Sequence, residues 1–163
     1  MPAGVMRTRR RGVGRRSAAE WRLAWHAWRR VASIRLALWR SPYAAVRAQA
    51  LRRAAHPAGL GGARAQGLER DPEALAWAVG AAARRFPKAS CLTQAIALEA
   101  LLAEAGHPSE VRIGVARRTD GSFEAHAWVE LDGRVLIGGL PDLERYAVLP
   151  AGAEPPERIR ADP

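Results

Sequence analysis

Cysteine is almost absent from this chain. Among 163 residues there is one, Cys91, which excludes an internal disulfide and any zinc site built on paired thiolates. Long apolar runs are missing too. Arginines at 22, 29, 30 and 35 break up the N-terminal region, so the first 35 residues hold no clean apolar stretch of signal-peptide kind. No segment reaches the roughly 18 to 20 uncharged apolar residues that a membrane span needs. A soluble, cytoplasmic protein is the resulting expectation. Acid is scarce at one end only. Residues 1–40 contain eleven arginines and a single acid, Glu20, whereas residues 41–163 carry fifteen basic and fifteen acidic side chains. The formal charge of +10 belongs to the N-terminal end, and the neutral remainder gives no electrostatic case for nucleic acid. There is no phosphate-binding loop, and neither a metal nor any other cofactor is expected.

What remains is enough to fold. The length fits one domain with an appendage, and 48% hydrophobic residues can build a core. Residues 1–16 read as a basic, glycine-bearing tail with nothing to bury. Residues 17–70 read as a helical N-terminal region. Ser17 and Glu20 have the spacing of a capping box, and the helix they open runs to Ser41 and Pro42. Trp21, Trp25, Trp28, Ala32 and Trp39 share a stripe on it. Packing against the protein's own core is the expected use of that stripe; gripping a partner or lying on a membrane surface are the alternatives. His26 lies off it and is expected in solvent. "YAAVRAQALRRAA" makes a second helix, and residues 56–72, with four glycines and two prolines, a loop that contains His56.

Residues 71–163 read as the core unit. "DPEALAWAVGAAARRF" predicts a third helix capped by Asp71, with Pro72 in the first helical position, where its missing N–H costs nothing. "CLTQAIALEALLAEAG" predicts a fourth, closed by Gly106. The periodicity then changes to that of strands: "EVRIGVARR", a turn at "TDGS", "FEAHAWVEL", a two-residue hairpin turn at Asp132 and Gly133, and "RVLIGG". Helices followed by a short antiparallel meander make an α+β fold.

Two residues in this frame bear chemistry. Cys91 stands at a helix start, where free N–H groups and the helix dipole favour a thiolate; it is equally readable as a small buried hydrophobe. On the histidine strand, Ala125, Ala127, Val129 and Leu131 share one face, the expected core. Glu124, His126, Trp128, Glu130 and Asp132 share the other. A helix-start cysteine followed by a strand histidine supplies a nucleophile and its base.

The passage from "CLTQAIALEALLAEAG" through "EVRIGVARR" to "EAHAWVELDGRVLIGG" closely resembles the transglutaminase-like cysteine peptidase domain of lasso peptide maturation proteins. It is most similar to the free-standing second half of a split B protein. The resemblance covers about residues 88–149. It implies a transglutaminase-like, papain-like core and a cysteine endopeptidase that removes the leader from a ribosomally made precursor peptide. A small leader-recognition protein would present the substrate, and a separate cyclase would then close the macrolactam. It also implies that Cys91 is the nucleophile and that His126 faces it as the base. The orienting acid is less direct, because the strand after His126 contains none. Asp132 in the hairpin turn, Glu130 on the histidine strand and Asp142 beyond "GGLP" are the candidates. Asp142 is preferred because its chain returns toward the level of His126, the two glycines giving the backbone freedom for a close approach. Gln94 is a weak candidate for the oxyanion hole. An acyltransferase of transglutaminase type and a non-catalytic peptide-binding adaptor are the competing functions.

Overall fold

The computed structural model describes residues 17–55, 71–86, 89–150 and 153. Residues 1–16, His56 and the glycine-rich loop lie outside these. Four helices come first: α1 (Ala18–Arg40), α2 (Tyr43–Ala54), α3 (Pro72–Ala83) and α4 (Cys91–Ala105). The strands β1 (Glu110–Arg117), β2 (Phe123–Leu131), β3 (Arg134–Ile137) and β4 (Ala147–Val148) follow. They form one antiparallel sheet in the order β3-β2-β1-β4. The α+β reading therefore holds, with β4 added on the far edge of the expected meander.

The helix boundaries follow from local chemistry. Ser17 accepts from the Glu20 amide and the Glu20 carboxylate from the Ser17 amide, the reciprocal capping box. Asp71 caps α3, and Gly106 ends α4 at φ +86°, where a side chain would be strained. The third helix stops at Ala83, short of Phe86. Its last carbonyls turn instead to the tighter Arg85–Ala82 and Phe86–Ala83 bonds. In the hairpin turn Asp132 and Gly133 both take positive φ, 50° and 73°, as the two-residue turn requires.

Helix α4 is the centre of the molecule. Twelve of its residues are buried, and Ala103 is the one that stands exposed. The sheet packs against it through Ala127, Val129 and Leu131, while α1, α2 and α3 cover the rest and share its core. Two of the buried α4 residues are carboxylates. Glu99 receives both ends of the Arg47 guanidinium from α2, at 2.8 and 2.5 Å. Glu104 is met by Arg30 and by His26 Nε2, the latter at 3.2 Å, both from α1. His26 is thus a partner of a buried acid and not a solvated side chain. The hydrogen bond to Glu99 holds the Arg47 pKa up, whereas burial, with Arg53 and Arg29 nearby, pulls that of Arg30 down.

The tryptophans overturn a second expectation. Leu23, Ala27, Val31, Ile34 and Leu38 form the buried face of α1, whereas Trp21, Trp25, Trp28 and Trp39 stand exposed. The leucine-led stripe fits between α3 and α4, where indoles are too large for the close alanine-lined contact.

Breaking a buried ion pair from one side leaves an uncompensated charge, at a cost of about 3 to 5 kcal/mol. Arg30→Ala should therefore lower the urea-unfolding free energy by about 3 kcal/mol, while the double change Arg30→Met, Glu104→Leu should be nearly neutral. Equal losses for the two variants would show that the pair itself, and not the stranded Glu104, holds the helices together.

Candidate active site

Cys91 is the first residue of α4 and follows its cap, Ser90. The Ser90 hydroxyl accepts from the Thr93 amide at 3.3 Å and lies 3.1 Å from the Thr93 hydroxyl, which fixes the helix start. Cys91 is in no disulfide, half-buried and packed at the edge of the main core. Its place in the first turn exposes it to the positive end of the α4 dipole. Gln94 spends its side-chain amide on the Ala89 carbonyl, 3.1 Å away, and so ties the incoming chain to the helix.

His126 lies on β2, opposite Gly114 of β1. Its Nε2 is 2.7 Å from the Gly138 carbonyl oxygen. A carbonyl can only accept, so Nε2 carries the proton in that bond, and the neutral ring keeps its lone pair on Nδ1. The ring is flanked by Trp128, with centroids 6.3 Å apart, and by Tyr146 at 5.7 Å. The mixed face of β2 is thus covered: Trp128, Ala116 and Tyr146 form a second, smaller core there, opposite the face that meets α4. Gly114 makes this possible, since a Cβ on it would stand 2.8 Å from the Tyr146 Cβ and 3.1 Å from the Trp128 ring.

Gly138 has φ +79°, and a Cβ built on it would lie 2.6 Å from the Ala127 carbonyl oxygen. No side chain fits there. The glycine pair does permit a close approach to the histidine, and the group that approaches is a main-chain carbonyl.

Each acid named from the sequence has another partner or place. Asp142 stands at the start of a short 3-10 turn (Leu143–Arg145) and pairs with Arg145 Nε at 2.6 Å. Arg145 also meets Glu124 and donates to the Tyr146 hydroxyl at 3.2 Å. Asp142 therefore connects to the histidine through Arg145 and Tyr146. Glu130 accepts from the Trp128 indole N–H at 2.8 Å and faces Arg112. Asp132 occupies the exposed tip of the hairpin. Sequence reasoning missed two neighbours of His126, the Gly138 carbonyl and Tyr146. A main-chain atom has no residue signature, and the only available signal was the "GG" that frees it. Among the described residues, no group of three His, Cys, Asp or Glu could hold a metal ion.

The family model described as the transglutaminase-like superfamily matches residues 29–151, which takes in α4, the whole sheet and most of the helices before it. No curated protein and no solved structure matches the chain. With a match over most of its length, the chain belongs to the transglutaminase-like superfamily, through the domain characteristic of lasso peptide biosynthesis B-type proteins.

Proposed function

We propose that this protein is a cysteine endopeptidase that removes the leader from a lasso precursor peptide before macrolactam formation. The family match supports a role in leader processing. The observation that carries this reading is the His126 Nε2 to Gly138 carbonyl bond, which would keep the Nδ1 lone pair for the role of base. Cys91 stands at the end of α4 and not along its packed side. The reading requires that thiol to reach the ring of His126, which stands on the β2 face opposite the one packed on α4.

Nδ1 takes the Cys91 proton, and the thiolate attacks the scissile carbonyl. The oxyanion is held by the Cys91 backbone N–H and a second donor. The imidazolium then protonates the leaving amine, and the thioester to the leader remains. Water, losing its proton to Nδ1, hydrolyses that thioester and frees the leader acid and the thiol. Capture of the thioester by an amine would make the enzyme an acyltransferase, which the product mass distinguishes. A non-catalytic adaptor would keep its function without Cys91.

In this reading the Gly138 carbonyl orients the ring, a task that Asp142 would perform in the alternative assignment. An exposed pair such as Asp142–Arg145 is worth at most about 1 kcal/mol. The expected partners are the precursor, a small leader-recognition protein and the cyclase, in the cytoplasm where the precursor is made. A site that touches only the few residues around the scissile bond binds weakly, so tethering the leader elsewhere raises its effective concentration.

Cys91→Ala should abolish precursor cleavage, and His126→Ala should lower it by about 100-fold or more. Asp142→Asn should stay within about fivefold of wild type with an unchanged pH profile, as expected from loss of a surface pair. Gly138→Ala should lose roughly tenfold or more in kcat through misplacement of the ring. Single-turnover cleavage assayed by mass spectrometry reads all four. Full activity in Cys91→Ala would remove the peptidase reading; a collapse in Asp142→Asn would make Asp142 the orienting group.

The leader-recognition protein, added at fixed precursor concentration, should raise the cleavage rate by about 100-fold, the lower end of a tethering gain. An unchanged rate would contradict the split arrangement while leaving Cys91 in place.

A further inference from the structure

The face of α1 turned away from the core is apolar as well. At 100° per residue, Trp21, Trp25, Trp28, Ala32, Leu36 and Trp39 fall within an arc of about 80°. Trp25 is 59% exposed, Trp21 56%, Leu36 49% and Trp39 79%. The stripe is ordered: Trp25 and Trp28 stack with centroids 5.1 Å apart, and Trp28 leans on Phe86 at 5.3 Å. Arg22, Arg29 and Arg40 run along one edge of it and Arg35 along the other. Glu20, the one acid of α1, is held in the capping box.

We infer that this ridge is a docking surface for an anionic lipid bilayer, on which α1 lies in the plane of the interface. Three features favour a bilayer over a protein. The ridge is convex and about 27 Å long from Trp21 to Trp39 at 1.5 Å per residue, with an open hollow beside it between Leu36, Trp39 and Phe86. A protein would need a groove of matching length, whereas headgroups yield to the shape. The exposed large side chains are mostly indoles, which settle where acyl chains meet headgroups. Charge is complementary along the whole length, and the sequence before Ser17 adds six arginines and no acid; each basic residue near an anionic surface adds about 1 kcal/mol.

No helix among the described residues is long and apolar enough to cross a membrane, so the contact is interfacial. The sheet packs on α4, whose other sides are occupied by α1, α2 and α3, so a bilayer under α1 would leave the histidine strand turned to solution. The inference stands independently of the chemistry at Cys91.

The test uses the full chain in flotation with phosphatidylglycerol–phosphatidylcholine vesicles and with phosphatidylcholine alone. Tryptophan emission and sedimentation velocity are followed alongside. Binding to the anionic vesicles only, with a blue shift, is expected. Replacing Trp21, Trp25 and Trp39 together by Ser should weaken it by roughly tenfold or more, with circular dichroism unchanged because none of the three is in the core. Arg22, Arg29 and Arg40 to Gln should weaken it without removing the blue shift at low salt. Absence of binding overturns the inference, as does binding that survives the tryptophan replacements. So does a tryptophan-dependent dimer in the absence of lipid, which would give the ridge to a second copy of the chain.

Discussion

The fold depends on burying nearly all of α4 while it carries two carboxylates. Glu99 and Glu104 sit on a helix whose other buried residues are leucine, isoleucine, alanine and Thr93, and both are buried themselves. Each is answered from a different element, Arg47 on α2 and Arg30 with His26 on α1. The two ion contacts therefore act as registers. They allow α1 and α2 to close over α4 in one arrangement, because any other leaves a charge stranded at several kcal/mol. With those faces closed, the remaining side of α4 receives the sheet, and the first residue of the helix, Cys91, is presented at its end.

On the sheet, the surroundings of His126 are built from what two glycines leave out. Gly114 gives up a side chain so that Tyr146 and Trp128 can close over the face bearing the histidine, and Gly138 gives up one so that its carbonyl can meet Nε2. The ring is held by packing on one side and a main-chain acceptor on the other. Main-chain acceptors hold a tautomer without adding charge. An imidazole so held is fixed in orientation. The Glu124–Arg145–Asp142 chain of ion pairs serves the same end indirectly by seating Tyr146.

Much of this was legible in the sequence, and for definite reasons. Capping residues have local rules, so Ser17, Asp71 and Gly106 marked their helices correctly, and the Asp-Gly hairpin was recognised because both positions need positive φ. Strand parity identified the face of β2 that packs on α4. The failures share one cause, dependence on tertiary partners. His26 looked solvated because its acid lies 78 residues away. The tryptophan stripe looked like the core because a single helix cannot say which of its two apolar faces is turned inward. Strand β4, two residues long, had no period to detect. At the site, Cys91 and His126 were singled out by residue type and family resemblance, whereas the Gly138 carbonyl belongs to no residue type at all.

Attack by Cys91 with His126 as its base is the step we propose for this site. The most direct measurement uses a peptide vinyl sulfone carrying the precursor sequence up to its cleavage site, with the adduct mapped by mass spectrometry. A single adduct on Cys91 is expected in the wild-type protein, with loss of rapid labelling when His126 is replaced by alanine. Equal labelling rates in the two proteins, or no adduct from an enzyme that cleaves the precursor, would contradict it.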